Sequence, residues 1–528
     1  MKNNNSVNNK NKERAESAID KKAGMRLGIW TMAYIFYMMF GFGTVCPEGY
    51  VEFDAYKWVL LVAGAVIYIL GVGVFCLPKL DKSFKGKFKL SIVDALFLGT
   101  LLSWLIGCSF AVDKRSAFLG DNYRNTGFFY VGLIVFTGWL VSKYAKHHFA
   151  VSIGFAVWTM VTNVVGIMQY YAHDPFNWQI YRQFTGLRSM FGNCDQYGAM
   201  CAIYLVVLIA IFMLEDNLPT IIITGIAIVI DTIGGFSADS AGFFFAAFGV
   251  LVLIGFALRD SACLRKLWMS AVMVYAGLLI QRHFYDTTDD WQSMNEQLTQ
   301  YIFENRKIVI GIGIMIAVLG IMVFLLKPVI DKAGVWISRA WFILFGIALI
   351  AAAGVIIYAN KNQANIAEEA FLYKFVINDR FGSGRGEIWK EVLRIYGERG
   401  IKDKLFGIGF DNISRLKLLT EVYGPLNQTL ADAHCVYLDM LLTCGILGAG
   451  LYFSLIIVII VRCVKHVKEC PGVVIACVAA ATYLAVALIN FNMNIFLPTC
   501  FMVMVYGLSF AKDTATKESI KETVSESE

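Results

Sequence analysis

Charged side chains are scarce in this chain. Asp, Glu, Lys and Arg make up 16% of its 528 residues, where a soluble domain carries about 25%. With 58% apolar residues and a mean hydropathy of +0.61, the apolar excess has no place in a single water-soluble core, whereas lipid solvates it. A cysteine pattern is also lacking. The twelve cysteines show neither metal-ligand spacing nor a paired framework. Cys76, Cys108, Cys201, Cys477 and Cys500 lie inside apolar runs, where a cysteine acts as a small hydrophobe. No metal and no cofactor are expected. No A-x-A-like cleavage site closes the first apolar run, so it reads as an uncleaved first helix. There is no internal repeat and no strand-rich region. The net charge of +6 is small and falls mostly in short loops, a mark of topology rather than of nucleic-acid binding.

Long apolar runs are what the chain has instead. A bilayer core of about 30 Å needs about 20 apolar residues of helix. Runs near that length lie at 26–45, 57–78, 91–111, 126–143, 149–171, 195–213, 219–236, 241–258, 267–283, 307–326, 340–359, 436–461, 472–490 and 496–511. The expected fold is all-α, a polytopic transmembrane bundle of about 12–14 helices with one large extracytoplasmic helical loop. The expected organisation is a disordered cytoplasmic tail (1–25), transmembrane helices 1–11 (26–359), a loop subdomain (360–435), transmembrane helices 12–14 (436–511) and a second cytoplasmic tail (512–528).

Lys and Arg in the short loops set the orientation. Lys79 to Lys89, Lys143, Lys146, Arg259, Arg265, Lys266, Lys327, Lys332, Arg339, Arg462, Lys465, Lys468 and Lys512 to Lys521 fall on one side together with the N-terminal tail. Both termini are therefore expected in the cytoplasm of a multi-pass protein, with the 360–435 loop outside. A loop this long without function is unusual. Its stretch from Gly386 to Arg394 spaces Ile388, Trp389, Val392, Leu393 and Ile395 for one helical face.

Polar, charged and glycine-rich residues gather on that outer face in four clusters: Phe118 to Gly127, Gly186 to Tyr197, Asp379 to Trp389 with Leu405 to Asn412, and Asp432 to Tyr437. Arg124, Arg188 and Arg385 offer planar forks of donors that suit phosphate oxygens. Glycines around Arg385 permit close approach of backbone N–H groups to an anion. His434 suits a general base near neutral pH. Together they describe a site for a phosphate-bearing anion with a proton acceptor beside it. The bland readings stand alongside. An Arg at a helix end is more often an interfacial anchor, a His at a helix start is more often a cap, and Gly-x-Gly is usually a turn. Asp94, Asp231 and Asp439, in or near apolar runs, are either functional or interhelical hydrogen-bond partners.

The clusters together resemble the O-antigen ligase and O-antigen polymerase superfamily of bacterial membrane proteins, over about 90–508. The resemblance rests on the Ser-Gly-Arg-Gly-Glu-Ile-Trp389 run, the Leu405-Phe-Gly-Ile-Gly409 run after it, and the Ala433-His-Cys-Val-Tyr-Leu438 start of a helix that carries Gly445-Ile-Leu-Gly448. Gly120, Arg124 and Gly127, and the Phe191-Gly-Asn193 segment, are similar to the family as well. The resemblance implies a metal-independent membrane glycosyltransferase, a polymerase or a ligase in cell-surface polysaccharide assembly. Its partners would be an undecaprenyl-diphosphate-linked glycan, a glycan or lipid acceptor and membrane lipid, and its place the bacterial plasma (inner) membrane with the active site outside. It implies that Arg385 and Arg188 bind the diphosphate, that Arg124 assists, and that His434 activates or positions the acceptor hydroxyl. Gly384, Gly386, Glu387, Asn193, Tyr437 and Asp432 would support them.

The chain departs from the family pattern at Cys435, at Asn193-Cys-Asp195, and at Ser237-Ala-Asp-Ser-Ala-Gly242, which lacks an expected Arg. Two other classes stay open: a transporter or flippase of lipid-linked sugars, and a non-catalytic envelope scaffold. A transporter should gather polar residues near the bilayer midplane on paired halves. The first reading requires Arg188, Arg385 and His434 to line one outward-facing cavity.

Overall fold

The computed structural model describes residues 24–47, 49–50, 53–83, 90–121, 125–171, 173–178, 188–287, 297–368, 370–416, 432–492 and 495–525. The tail expected before residue 24 lies outside them. The chain is an all-α helical bundle with no strand among the described residues. In order, the helices are α1 (24–36, continued by a π-turn Tyr37–Phe42), α2 (Phe53–Ser83), α3 (Ile92–Ser109), α4 (Lys114–Leu119), α5 (Phe128–Tyr144), α6 (Phe149–Tyr170), α7 (Cys194–Leu214), α8 (Leu218–Ser237), α9 (Ala246–Ala257), α10 (Ser261–Thr287), α11 (Gln297–Glu304), α12 (Arg306–Lys361), α13 (Phe381–Glu398), α14 (Ile401–Phe406), α15 (Val436–His466), α16 (Val474–Val486) and α17 (Phe496–Ser525). Among the described residues, eight helices are long and apolar enough to cross a membrane, and four shorter apolar ones accompany them. This is a multi-pass membrane protein.

All fourteen apolar runs are helical, but those at 307–326 and 340–359 are not two helices. α12 is continuous over 56 residues, about 84 Å at 1.5 Å per residue, far beyond one bilayer core of about 30 Å. The basic loop expected between them, with Lys327, Lys332 and Arg339, is helix. Ile330, Gly334 and Ser338 repeat every four residues and are buried. Gly334 lies on the carbonyls of Leu258 and Arg259, where a Cβ would come within 2.6 Å, and the Ser338 hydroxyl donates to the Gly255 carbonyl at 2.6 Å. One buried stripe along the α9–α10 turn thus keeps this charged stretch helical despite Pro328.

α7 is the centre of the bundle: every residue from Gln196 to Met213 is buried. A helix apolar all round belongs in such a place. Some polar side chains inside the bundle are paired across helices. Asn163 of α6 donates to Asp231 of α8 at 2.7 Å, and Tyr197 of α7 donates to Asn163 at 2.9 Å. Lys57 is fully buried and donates to the carbonyls of Phe42, at the end of the π-turn, and of Val45, which a helix C-terminus favours.

Asp94 caps α3. Its carboxylate accepts from the Ser91 amide, while Ser91 Oγ accepts from the Asp94 amide, a reciprocal capping box. The same carboxylate accepts from Trp139 Nε1 at 2.8 Å and pairs with Lys143, both on α5. Asp94 is therefore a structural tie between α3 and α5. Asp94→Ala should cost about 1–2 kcal/mol through the lost cap and pair, read as a lower unfolding temperature of the purified protein in detergent.

The 360–416 segment and α15 form a second small core. Ile388, Val392 and Ile395 of α13 pack with Ile408, Ile413, Ala433 and Leu442. The i, i+4, i+7 spacing is the one expected, but Leu393 falls off that face and is half exposed. α15 is broken at Gly445 (φ 66°, ψ 178°). The break frees two carbonyls of the preceding turn. Leu442 O accepts from the Ile408 amide at 3.0 Å, and Thr443 O from the Gly409 amide at 2.9 Å. Phe410 then stands edge-on against Trp104 of α3, ring centroids 5.2 Å apart. The Leu405–Gly409 motif is in this way a docking strip for the kinked helix.

Candidate functional site

The site is built around the first turn of α7. Asn193 is the N-cap: its side-chain oxygen accepts from the amides of Asp195 (2.8 Å) and Gln196 (3.1 Å). Asp195 follows in the first turn, where the helix dipole favours a negative charge. One of its oxygens accepts from Ser240 Oγ at 2.8 Å, and the other from Arg385 Nη2 at 3.1 Å. The Arg385 and Asp195 side chains are 19% and 39% exposed, so the pair is open to a ligand but shielded enough for charge to count.

Arg385 sits in the first turns of α13. Its Nη1 donates to the Gly382 carbonyl at 3.0 Å. Its Nε is buried and has no partner among the described residues. The Nε–Nη2 edge is the one that meets a two-oxygen acceptor side by side. Asp195 occupies only the Nη2 half of it. The glycines beside Arg385 serve packing. Gly384 has φ 93°, a backbone that side chains rarely adopt, and a Cβ on Gly386 would stand 1.9 Å from the Asn378 carbonyl oxygen. The missing side chain of Gly386 makes room for that carbonyl. Glu387 is half-buried two residues further along α13.

Arg188 is 3% exposed. Its Nη1 donates to the Ser237 carbonyl at 2.5 Å, and its guanidinium lies 4.8 Å from the Tyr170 ring centroid. It therefore closes the C-terminus of α8, and the turn it closes carries Ser240, the partner of Asp195.

His434 lies just before α15 with φ 48°. Its amide donates to Asp432 Oδ1 at 3.0 Å, and its Nδ1 is 3.4 Å from the same oxygen. Asp432 thereby fixes the backbone at His434 and stands close to the ring. Trp389 Nε1 of α13 donates to the Ala433 carbonyl at 3.1 Å, Asp439 accepts from the Ala433 amide at 2.5 Å, and Tyr437 donates to the Leu484 carbonyl at 2.7 Å. Tyr437 is a tie to α16, and Asp439 a local cap. The His434 ring meets Phe491 edge-on, centroids 5.0 Å apart. Gln196 in turn donates to Asn490 Oδ1 (2.7 Å) and to the Phe491 carbonyl (2.6 Å).

Arg385, Arg188 and His434 are therefore tied to one helix end by three routes: Arg385 directly through Asp195, Arg188 through the 237–240 turn, and His434 through Phe491 and Gln196. No described cavity is lined by Arg188, Arg385 and His434 together. A cavity of about 60 Å³ is lined by Thr126, Asp411, Asp432, Asp439, Thr443 and Asn492 with four apolar residues. Neither arginine nor His434 is among its described lining. Arg124 lies outside the described residues. The ends of its loop sit on Asp411, which accepts from the amides of Asp121 (3.2 Å) and Thr126 (2.7 Å) and from the Thr126 hydroxyl (2.5 Å).

Desolvation, with Asp121 nearby, pushes the Asp411 carboxyl up to about 7, against the hydrogen bonds from Thr126. Its folded value lies above that of an unfolded carboxyl, roughly 3.9. The stability this group contributes is thus complete below about pH 4 and is lost as pH rises through about 7. Asparagine keeps an acceptor oxygen and tolerates φ 50°. Asp411→Asn should flatten the fall in unfolding temperature between about pH 4 and 7, measured against the parent protein across that range.

Asp195, Ser240, Gln196, Asn490 and Phe491 were not among the residues expected from sequence to form the site. A signal was present for some. Asp195 stands two residues after a helix-capping Asn, and the polar Asn490-Phe-Asn492 breaks two apolar runs.

Compared with protein-family models the sequence matches none, and no curated protein matches it.

Proposed function

We propose that this chain is a glycosyltransferase that moves a glycan from an undecaprenyl-diphosphate carrier to a hydroxyl of an acceptor, outside the bacterial plasma membrane. The reading rests on the motif resemblance to O-antigen ligases and polymerases and on one observation above all. Arg385 presents a half-filled guanidinium fork at the same helix end that His434 meets through Phe491. The site stands at an end of an apolar bundle, where a lipid-held diphosphate reaches it without leaving the bilayer.

In the reaction, the acceptor oxygen bonds to the anomeric carbon while the bond from that carbon to the diphosphate breaks. The bonding pair leaves on the diphosphate, whose growing charge Arg385 stabilises. His434 takes the acceptor proton, with the Asp432 carboxylate 3.4 Å from its Nδ1. Arg188 donates to the Ser237 carbonyl and so positions the turn that bears Ser240, beside the diphosphate that Arg385 holds.

The test is made in cells carrying Arg385→Ala or His434→Ala, with normal protein levels in the membrane. Polyprenyl-linked glycans should accumulate, as single repeats if the protein is a polymerase and as finished chains if it is a ligase. Unchanged lipid-linked glycans in both variants would favour transport or a scaffold instead.

A further inference from the structure

The Arg385–Asp195 pair has a feature that donor binding alone does not require. An arginine meant only to hold phosphate is served by open space or by neutral neighbours. Here a carboxylate stands on it, and that carboxylate is itself fixed. Ser240 donates to its other oxygen, the Asn193 side chain accepts from its amide, and Asn490 Nδ2 lies 3.5 Å from its carbonyl oxygen. Asp195 therefore does not swing in by chance. Its contact with the guanidinium is one-sided, on Nη2, with the adjacent buried Nε left over. A diphosphate that meets Nε and Nη2 together forms two charge-assisted bonds where Asp195 forms one, and it takes the very donor that Asp195 uses.

We propose that Asp195 is a latch on Arg385: it neutralises the guanidinium in the resting protein, the donor's diphosphate displaces it, and the released carboxylate then binds a hydroxyl of the sugar acceptor. This inference rests on the proposed function and deepens it by giving the order of binding, donor before acceptor. A carboxylate with a free oxygen is a strong acceptor for sugar hydroxyls. While Arg385 and Ser240 both hold Asp195, that oxygen is engaged. Once the diphosphate sits on Arg385, the Ser240 bond keeps the carboxylate in place and one oxygen becomes available. The latch also keeps the arginine from adventitious anions between turnovers.

The consequence is a split that a merely structural ion pair does not produce. Asp195→Asn keeps size and the Ser240 contact but removes the charge that competes with the donor. It should bind a diphosphate about fivefold more tightly than the parent, the effect of one partly exposed ion pair, and at the same time show a raised KM for acceptor. Ser240→Ala loosens Asp195 without touching Arg385, so it should move diphosphate affinity in the same direction by less. It also keeps the test alive if Asp195→Asn folds poorly.

The experiment is calorimetric titration of the purified full chain in detergent, with inorganic pyrophosphate in one arm and farnesyl diphosphate in the other. Parent, Asp195→Asn, Ser240→Ala and Arg385→Gln proteins are compared, followed by acceptor KM in a transfer assay. Tighter diphosphate binding by Asp195→Asn in both arms, with weaker acceptor binding, is the expected result. A change in the farnesyl arm alone would place the effect on the lipid and overturn the latch. Equal or weaker diphosphate binding by Asp195→Asn, with Arg385→Gln losing it, would overturn the latch and leave the donor site standing. Undiminished binding by Arg385→Gln would overturn the donor site itself.

Discussion

Arg385→Ala should lower the rate of glycan transfer by about 10²–10³-fold, the cost of removing one well-placed donor from a site where negative charge develops. The fall should lie mainly in kcat, with a smaller change in the donor KM. In the ground state the diphosphate already carries its charge and Arg385 binds it in competition with Asp195. In the transition state charge grows on the leaving oxygen, and the fork gains there what it does not gain on binding. His434→Ala should cost about 10²–10⁴-fold, as loss of a proton acceptor does, and the remaining rate should lose its pH dependence near neutrality. Rates of the purified variants with a polyprenyl-linked donor check both. Arg385→Lys should recover little, since an ammonium offers no planar fork.

Gly407→Ala should destabilise the protein by about 3 kcal/mol or more, a large share of a net stability that is commonly about 5–15 kcal/mol. Gly407 has φ 81° and ψ 179°, a region that is essentially glycine-only, and an alanine there costs about 1–3 kcal/mol. Its Cβ would stand 2.1 Å from the Thr443 carbonyl oxygen, so the strip must lift from α15. Lifting it breaks the bonds from the Ile408 and Gly409 amides to Leu442 and Thr443, worth about 0.5–1.5 kcal/mol each. Because the strip carries Phe410 and Asp411, the loop resting on Asp411 should loosen as well. Gly450→Ala is the control: it lies in α15, the helix on which the strip docks, with nothing within 4 Å of the added carbon. Thermal unfolding of the two proteins in detergent should separate them widely, and a Gly407→Ala protein as stable as Gly450→Ala would refute the docking account.

The helices were legible because each apolar run is long, and the bilayer rule reads length and composition directly. α13 was legible from the spacing of Ile388, Val392 and Ile395. The continuity of α12 was not, because Pro328 and the charges at 327–339 resemble a loop until the buried stripe of Ile330, Gly334 and Ser338 meets the α9–α10 turn. The glycine motif was visible, but its purpose was not. Gly407, Gly409 and Gly445 belong to one contact between segments about forty residues apart, and composition does not report which carbonyls a distant kink sets free. The site was half legible. Arg385 and His434 stand out by residue type, and Arg188 does too, yet its burial over Tyr170 and its bond to the Ser237 carbonyl depend on segments distant in sequence. Asp195 was visible only within a cluster and as a departure from the family pattern, because its contact with Arg385 joins segments 190 residues apart.

The central claim is that a lipid-held diphosphate leaves from Arg385. The most direct measurement is release of undecaprenyl diphosphate from a glycan-loaded carrier by the purified protein in detergent with acceptor present, parent against Arg385→Gln. The account predicts steady release by the parent, with matching glycosylated acceptor, and release by Arg385→Gln reduced by about 10²-fold or more. Equal release by the two proteins would contradict it.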